Sequence, residues 1–149
     1  SLDTTIADLH LDWKWKGFSL RALGVVAEID GAGDLSAYKA AAEEIELSAY
    51  DPVGERLTGW YVEAGFDVFS VLRPGEASLT PFIRFESYNT QDEVPEGFNA
   101  SGKNDIELTT IGLNFKPIAE VVLKGEYQIY DDAANSLQDQ WNLGLGYIF

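Results

Sequence analysis

"ADLHLDWKWK", residues 7–16, is the stretch on which the fold turns. Leu9, Leu11, Trp13 and Trp15 fall on one side of an extended chain; Asp8, His10, Asp12, Lys14 and Lys16 fall on the other. Successive side chains of a strand point to opposite faces, so this alternation reads as a strand. One face is apolar and aromatic and the other carries both signs of charge, so the two faces meet different surroundings. Gly17 then makes a tight turn and "FSLRALGVVAEI" (18–29) runs back. Its alternation is clear to Arg21 and blurs near Gly24, where a β-bulge is expected.

The same period recurs along the chain. "GWYVEAGFDVFSVL" (59–72) sets Trp60, Val62, Ala64, Phe66 and Val68 against Tyr61, Glu63, Gly65, Asp67 and Phe69. "LTPFIRFESYN" (79–89) sets Ile83 and Phe85 against Arg84, Glu86 and Tyr88. "IELTTIGLNFK" (106–116) and "EVVLKGEYQIY" (120–130) follow, joined by "PIA". They place Lys116, Lys124 and Glu126 on the polar side and Ile111, Leu113, Phe115, Leu123 and Ile129 on the apolar side. The last stretch, "QWNLGLGYIF" (140–149), aligns Trp141, Leu143, Leu145, Tyr147 and Phe149.

The connections alternate: one or two residues, about thirty, about six, about sixteen, about three and about nine. Short turns at one end and long loops at the other are the habit of an antiparallel meander in an outer-membrane barrel. Most stretches reach the roughly 9–11 residues that a tilted strand needs to cross a bilayer. Aromatics gather at the short-turn end: Trp13, Trp15, Phe18, Phe115, Tyr147 and Phe149. The expectation is therefore an all-β transmembrane β-barrel. A soluble, lipocalin-like barrel with its apolar face inside is the alternative that periodicity leaves open.

Single-chain bacterial barrels have even strand numbers and periplasmic termini. Seven strands ending in the periplasm put Ser1 at the outer end. Residues 1–149 are then expected to be the C-terminal part of one larger barrel domain. An eighth strand hidden in the long extracellular loop 30–58 would be the other answer. Within that loop "DLSAYKAAAEEIELSAYD" (34–51) reads equally as a short helix or as a β extension.

Composition narrows function. The chain has 149 residues, no Cys and one His. Thiolate metal sites and disulfides are excluded, and no metal site or cofactor is expected. Lys and Arg number 10 against 25 Asp and Glu, a net charge of −15. That balance argues against a nucleic-acid partner. The mean hydropathy of −0.11 does not argue for a soluble protein, because an alternating barrel strand averages to such a value. His10, beside Asp8 and Asp12, reads as a wall histidine paired to Asp and not as a catalytic base, so no enzyme is expected.

The alternate apolar residues Leu143, Leu145 and Tyr147 before a terminal Phe149 resemble the β-signal of outer-membrane proteins, which the barrel assembly machinery recognises. "GWYVEAGFDV" (59–68), "LTPFIRFESYNTQ" (79–91) and "TTIGLNFKPIAEVVLKGEYQIY" (109–130) resemble C-terminal strands of the phosphate-selective porin O and P family. The resemblance implies a bacterial outer-membrane porin of about sixteen to eighteen strands, often a homotrimer, embedded in lipid and lipopolysaccharide. It also implies a water-filled channel for small hydrophilic solutes, phosphate-like anions among them.

The pore-lining candidates are Lys14, Arg21, Glu63, Asp67, Arg84, Glu86, Lys116, Lys124 and Glu126. Charged rings on a wall are what select ions. Glu63 with Arg84, and Lys116 with Glu126, lie on neighbouring strands and are expected to pair. Arg84 is the candidate for solute contact, because a guanidinium forks onto anions. Two other functions fit the same pattern: a small non-conducting barrel that anchors or adheres through acidic loops, and a soluble barrel carrying an apolar ligand.

Overall fold

The computed structural model describes residues 2–72, 75–134 and 136–148. Seven antiparallel strands form one sheet in sequence order: β1 (Asp3–Trp15), β2 (Phe18–Asp30), β3 (Arg56–Phe66), β4 (Ser78–Glu93), β5 (Asp105–Ile118), β6 (Val121–Asp132) and β7 (Gln140–Tyr147). The sheet is open, with β1 and β7 at its edges. No helix among the described residues is long and apolar enough to cross a membrane.

The first hairpin closes as its sequence requires. Lys16 (φ 46°) and Gly17 (φ 86°) both adopt positive φ, the geometry of the two-residue turn whose twist matches that of the flanking strands. The bulge expected at Gly24 is absent: the β1–β2 register runs unbroken from Asp3 opposite Asp30 to Trp15 opposite Phe18. A Cβ added at Gly24 would meet nothing within 4 Å, so its missing side chain blurs the sequence pattern without disturbing the ladder.

The third strand is shorter than its periodicity suggests. It ends at Phe66, and Phe69–Leu72 forms a single helical turn, α2, where the strand was expected to run to residue 72. Asp67 is the cause. Its Oδ1 accepts from the N–H of Phe69 (3.1 Å) and of Leu79 (3.0 Å), while its own N–H donates to Gly17 O (2.8 Å). A carboxylate that satisfies nearby backbone donors competes with the sheet ladder. The connection 67–77 is thus not the short turn expected, and only 16–17 and 119–120 are tight at that end. The turn expected at 117–119 also moves: Pro117 and Ile118 stay in β5. The register shifts between Phe115 and Ile118, around a proline that has no N–H for the ladder.

In the long connection the helix prevails over the β extension. Residues Ala32–Ala42 form α1, followed by a 3₁₀ turn at Leu47–Ala49. Ala32, Ser36 and Ala40 are buried on one side of α1, and Ser36 Oγ accepts from Val53 N–H at 3.0 Å. Gln91, buried at the far end of β4, joins this loop to the next. Its Nε2 donates to Asp51 Oδ1 (2.7 Å) and Pro52 O (2.6 Å), and its Oε1 accepts from Ser101 N–H (2.7 Å). Asp132, at the loop end of β6, accepts from Ser136 N–H (2.8 Å), Leu137 N–H (3.0 Å) and Ser136 Oγ (2.9 Å). These donors, Ser136 first, hold its carboxyl below the usual carboxylate range.

Register aligns each face into rows. One row reads Trp13, Leu20, Ala64, Ile83, Ile111, Tyr127 and Trp141 across all seven strands. Its neighbour reads Leu11, Ala22, Val62, Phe85, Thr109 and Ile129. This apolar face is the exposed one: Leu9 is 80%, Trp141 76% and Leu143 89% accessible. The buried apolar residues lie elsewhere. Ala32, Ala40 and Phe98 belong to the loops, whereas Phe82 and Leu108 sit on the charged face. The sheet is thus inverted relative to one folded in water, which would bury its apolar face.

Candidate functional site

The charged face is the inner one. A cleft of about 540 Å³ is lined by Lys14 of β1, Arg21 of β2, Glu63 of β3, Thr80 and Phe82 of β4, Lys116 of β5 and Val122 of β6. Strands that far apart in sheet order share a cavity only because the sheet curls with its charged side concave.

Across that side runs one row: Asp12, Arg21, Glu63, Arg84, Thr110, Gln128 and Gln140. Its first four members alternate in sign and pair in sequence. Arg21 Nε lies 3.5 Å from Asp12 Oδ2 and its Nη1 donates to Glu63 Oε1 at 3.3 Å. Arg84 Nε is 3.6 Å from Glu63 Oε2 and 3.3 Å from Glu86 Oε2, and its guanidinium lies over the Tyr61 ring at 5.5 Å. Lys14 approaches Asp12 at 3.9 Å. The expected Glu63–Arg84 pair is therefore present, in register, with Glu63 at 15% and Arg84 at 22% side-chain exposure.

The other expected pair is not. Glu126 stands opposite Gly112, four positions along the strand from Lys116, so the two cannot meet. Glu126 pairs with Lys124 instead, at 2.6 Å, and Lys124 Nζ also lies 5.3 Å from the centre of the Phe82 ring. Lys116 reaches the cleft and has no ion pair among the described residues. Asp67 lines the same cleft with its carboxylate committed to backbone N–H groups. His10 Nδ1 lies 3.7 Å from Asp8 Oδ1, on the same face, both well exposed.

Electrostatically the charge ladder is self-balanced, whereas Lys116 of the same wall is not. Arg21 and Arg84 each sit between two carboxylates, and Lys14 and Lys124 each have one. Glu63, Arg84, Glu86 and Glu126 are largely buried along the wall, and these pairs fix the positions of its side chains. Alternating signs also cancel the field felt by an ion a few ångströms above the wall.

Several inner-face residues carry no sequence signal that singles them out. Phe82 is hidden in the apolar run "LTPFIRF", and its ring lies where a side chain at Gly112 would stand. Gln128, Tyr130, Gln140 and Asn142 look like ordinary polar positions until register gathers them. Of the residues expected to form an assembly signal, Leu143, Leu145 and Tyr147 are exposed on the apolar face of β7, and Phe149 lies outside the described residues.

The chain matches no family model and no solved structure. It is 23% identical over 140 residues to an uncharacterized protein of Aquifex aeolicus (strain VF5), covering 94% of this chain. The chain spans 32% of the length of that relative.

Proposed function

We propose that these seven strands are part of the wall of a bacterial outer-membrane porin, a water-filled channel for passive diffusion of small hydrophilic solutes. The observation that carries this reading is the inversion of the sheet: apolar rows exposed on the convex side, paired charges on the concave side. A carrier of an apolar ligand would need the reverse. On β6 the apolar side runs from Val121 to Ile129, about 27 Å along the strand. A tilt of about 35–45° reduces that to about 20 Å, close to the apolar belt of about 25 Å around a membrane barrel.

Open sheet edges are not tolerated in hydrocarbon, so β1 and β7 require further strands beside them. β1 and β7 run in the same direction, so a seam between them would be parallel in an otherwise antiparallel wall. An odd number of additional strands resolves this. The relative from Aquifex aeolicus, of which the chain spans only 32%, is consistent with such a longer wall. In this reading the partners are lipid, lipopolysaccharide, the barrel assembly machinery acting on Leu143, Leu145, Tyr147 and Phe149, and two further copies in a trimer.

Selectivity for phosphate-like anions finds little support in the wall. The guanidiniums of Arg21 and Arg84 already face two carboxylates each. Weak discrimination between ions is the expectation for this segment. The test is single-channel recording on the full-length protein extracted from outer membranes and placed in planar bilayers. Uniform conductance steps support the reading; a protein found in the soluble periplasmic fraction, or one that inserts without conducting, overturns it.

A further inference from the structure

The charge ladder stops at β5. Thr110, its next member, is fully buried and its hydroxyl has no hydrogen-bond partner among the described residues, so the row breaks there into two chemically distinct halves. Beyond it, on β6 and β7, three uncharged side chains gather around one atom of a fourth. Gln128 Oε1 accepts from Gln140 Nε2 (2.7 Å), Asn142 Nδ2 (2.8 Å) and Tyr130 Oη (3.1 Å), and Gln140 Nε2 also donates to Tyr130 Oη at 3.1 Å. These bonds fix the amides in place. Gln128 Nε2, Gln140 Oε1 and Asn142 Oδ1 are then left without partners among the described residues. Tyr88, one inner-face position beyond Glu86 towards the loops, stands one row above Tyr130, in the row that runs through Ile106 to Asp132.

We propose that this amide and phenol strip is a binding track for uncharged polyhydroxylated solutes, saccharides of a few units; the proposal rests on the channel reading above and names the solute class. Each sugar hydroxyl both donates and accepts, and fixed carboxamides offer both functions side by side. Aromatic rings such as those of Tyr130 and Tyr88 offer flat apolar surface to the C–H faces of a sugar ring. An ion has less to gain. The strip's own side chains are uncharged, Glu126 opposite Asn142 is paired to Lys124 at 2.6 Å, and the cations of the neighbouring ladder are already paired. A saccharide needs no unpaired charge and meets hydrogen-bonding groups whose positions are set in advance, which lowers the cost of ordering them.

The experiment measures block of ion current by a linear glucose trisaccharide through the full-length protein in planar bilayers. The wild type is expected to show saturable, reversible block. Gln128→Leu removes the acceptor that gathers the strip and is expected to weaken the blocking constant about tenfold, with ionic conductance held within about twofold. Gln140→Ala, on the edge strand, is expected to weaken it in the same direction and keeps the test usable if Gln128→Leu does not insert. A channel that conducts but is not blocked, or is blocked equally in both variants, overturns the saccharide track and leaves the channel standing. Absence of conductance in the wild type overturns both.

Discussion

Glu63→Gln probes the ladder at its centre. The carboxylate bridges Arg21 at 3.3 Å and Arg84 at 3.6 Å, and the amide keeps its shape while removing one negative charge. Arg21 retains Asp12 at 3.5 Å and Arg84 retains Glu86 at 3.3 Å, so neither guanidinium is left alone, and with Glu63 largely buried the loss of stability should be about 1–3 kcal/mol. Selectivity should change too. Unit charges about 4 Å apart in water interact by about 1 kcal/mol, which is about fivefold in the occupancy of an anion and about fivefold the other way for a cation. A passing ion sits further out, so the expected rise in the anion-to-cation permeability ratio is about two- to fivefold at 0.1 M KCl, where the screening length is about 10 Å. At 1 M, where that length is about 3 Å, most of the effect should vanish. Reversal potentials under a KCl gradient measure both. Glu107→Gln, on the outer face above the apolar rows, is the control and should leave the ratio unchanged. An unaltered ratio for Glu63→Gln at 0.1 M, or an equal shift at both salt concentrations, would refute the placement of Glu63 on a conducting wall.

Further outcomes are expected elsewhere. Phe85→Arg sits in the apolar row between Val62 and Thr109 and should destabilise the protein by about 2–4 kcal/mol in bilayers, read by equilibrium unfolding; in a water-facing sheet the same change would lie within about 0.5 kcal/mol. Gln91→Ala removes the buried amide that ties loop 31–55 to loop 94–104 and should loosen both by about 2–4 kcal/mol. Limited proteolysis should then cut within residues 31–55 while the unfolding midpoint of the sheet stays put. Asp132 lies beyond the apolar rows and has its carboxyl pKa lowered by the loop N–H groups, Ser136 first. A depressed folded value means its stabilising contribution is full above the ordinary carboxylate range and is lost as pH falls through the folded value. The 133–139 loop should therefore hold from pH 7 to pH 5 and open only below the usual range. Carboxyl carbon shifts across that window check it, and a midpoint at or above the usual value would contradict the cap.

The strands were legible because their code is local. Alternation in "ADLHLDWKWK" states which side chains share a face, and Lys16–Gly17 states where the hairpin turns, through backbone sterics alone. The same rule put eight of the nine charged candidates on one face of the sheet, and Asp67 falls in a turn instead. Its carboxylate bonds to the N–H of Leu79, which is distant in sequence, and no periodicity records that. The helix Ala32–Ala42 was half visible: its spacing admitted two conformations, and packing of Ala32, Ser36 and Ala40 decided between them.

What only tertiary structure decided is register and curvature. Glu63 meets Arg84 and Lys116 misses Glu126 because pairing across strands depends on where each turn resets the count, and a shift at Pro117 alters it. Gln128, Gln140, Asn142 and Tyr130 become one cluster for the same reason. Alternation gives two faces but cannot say which is concave. The curl of the sheet makes that choice, putting the paired charges on the concave side and leaving the apolar rows exposed on the other, because strands distant in sequence must come together round one side before a cleft can form there.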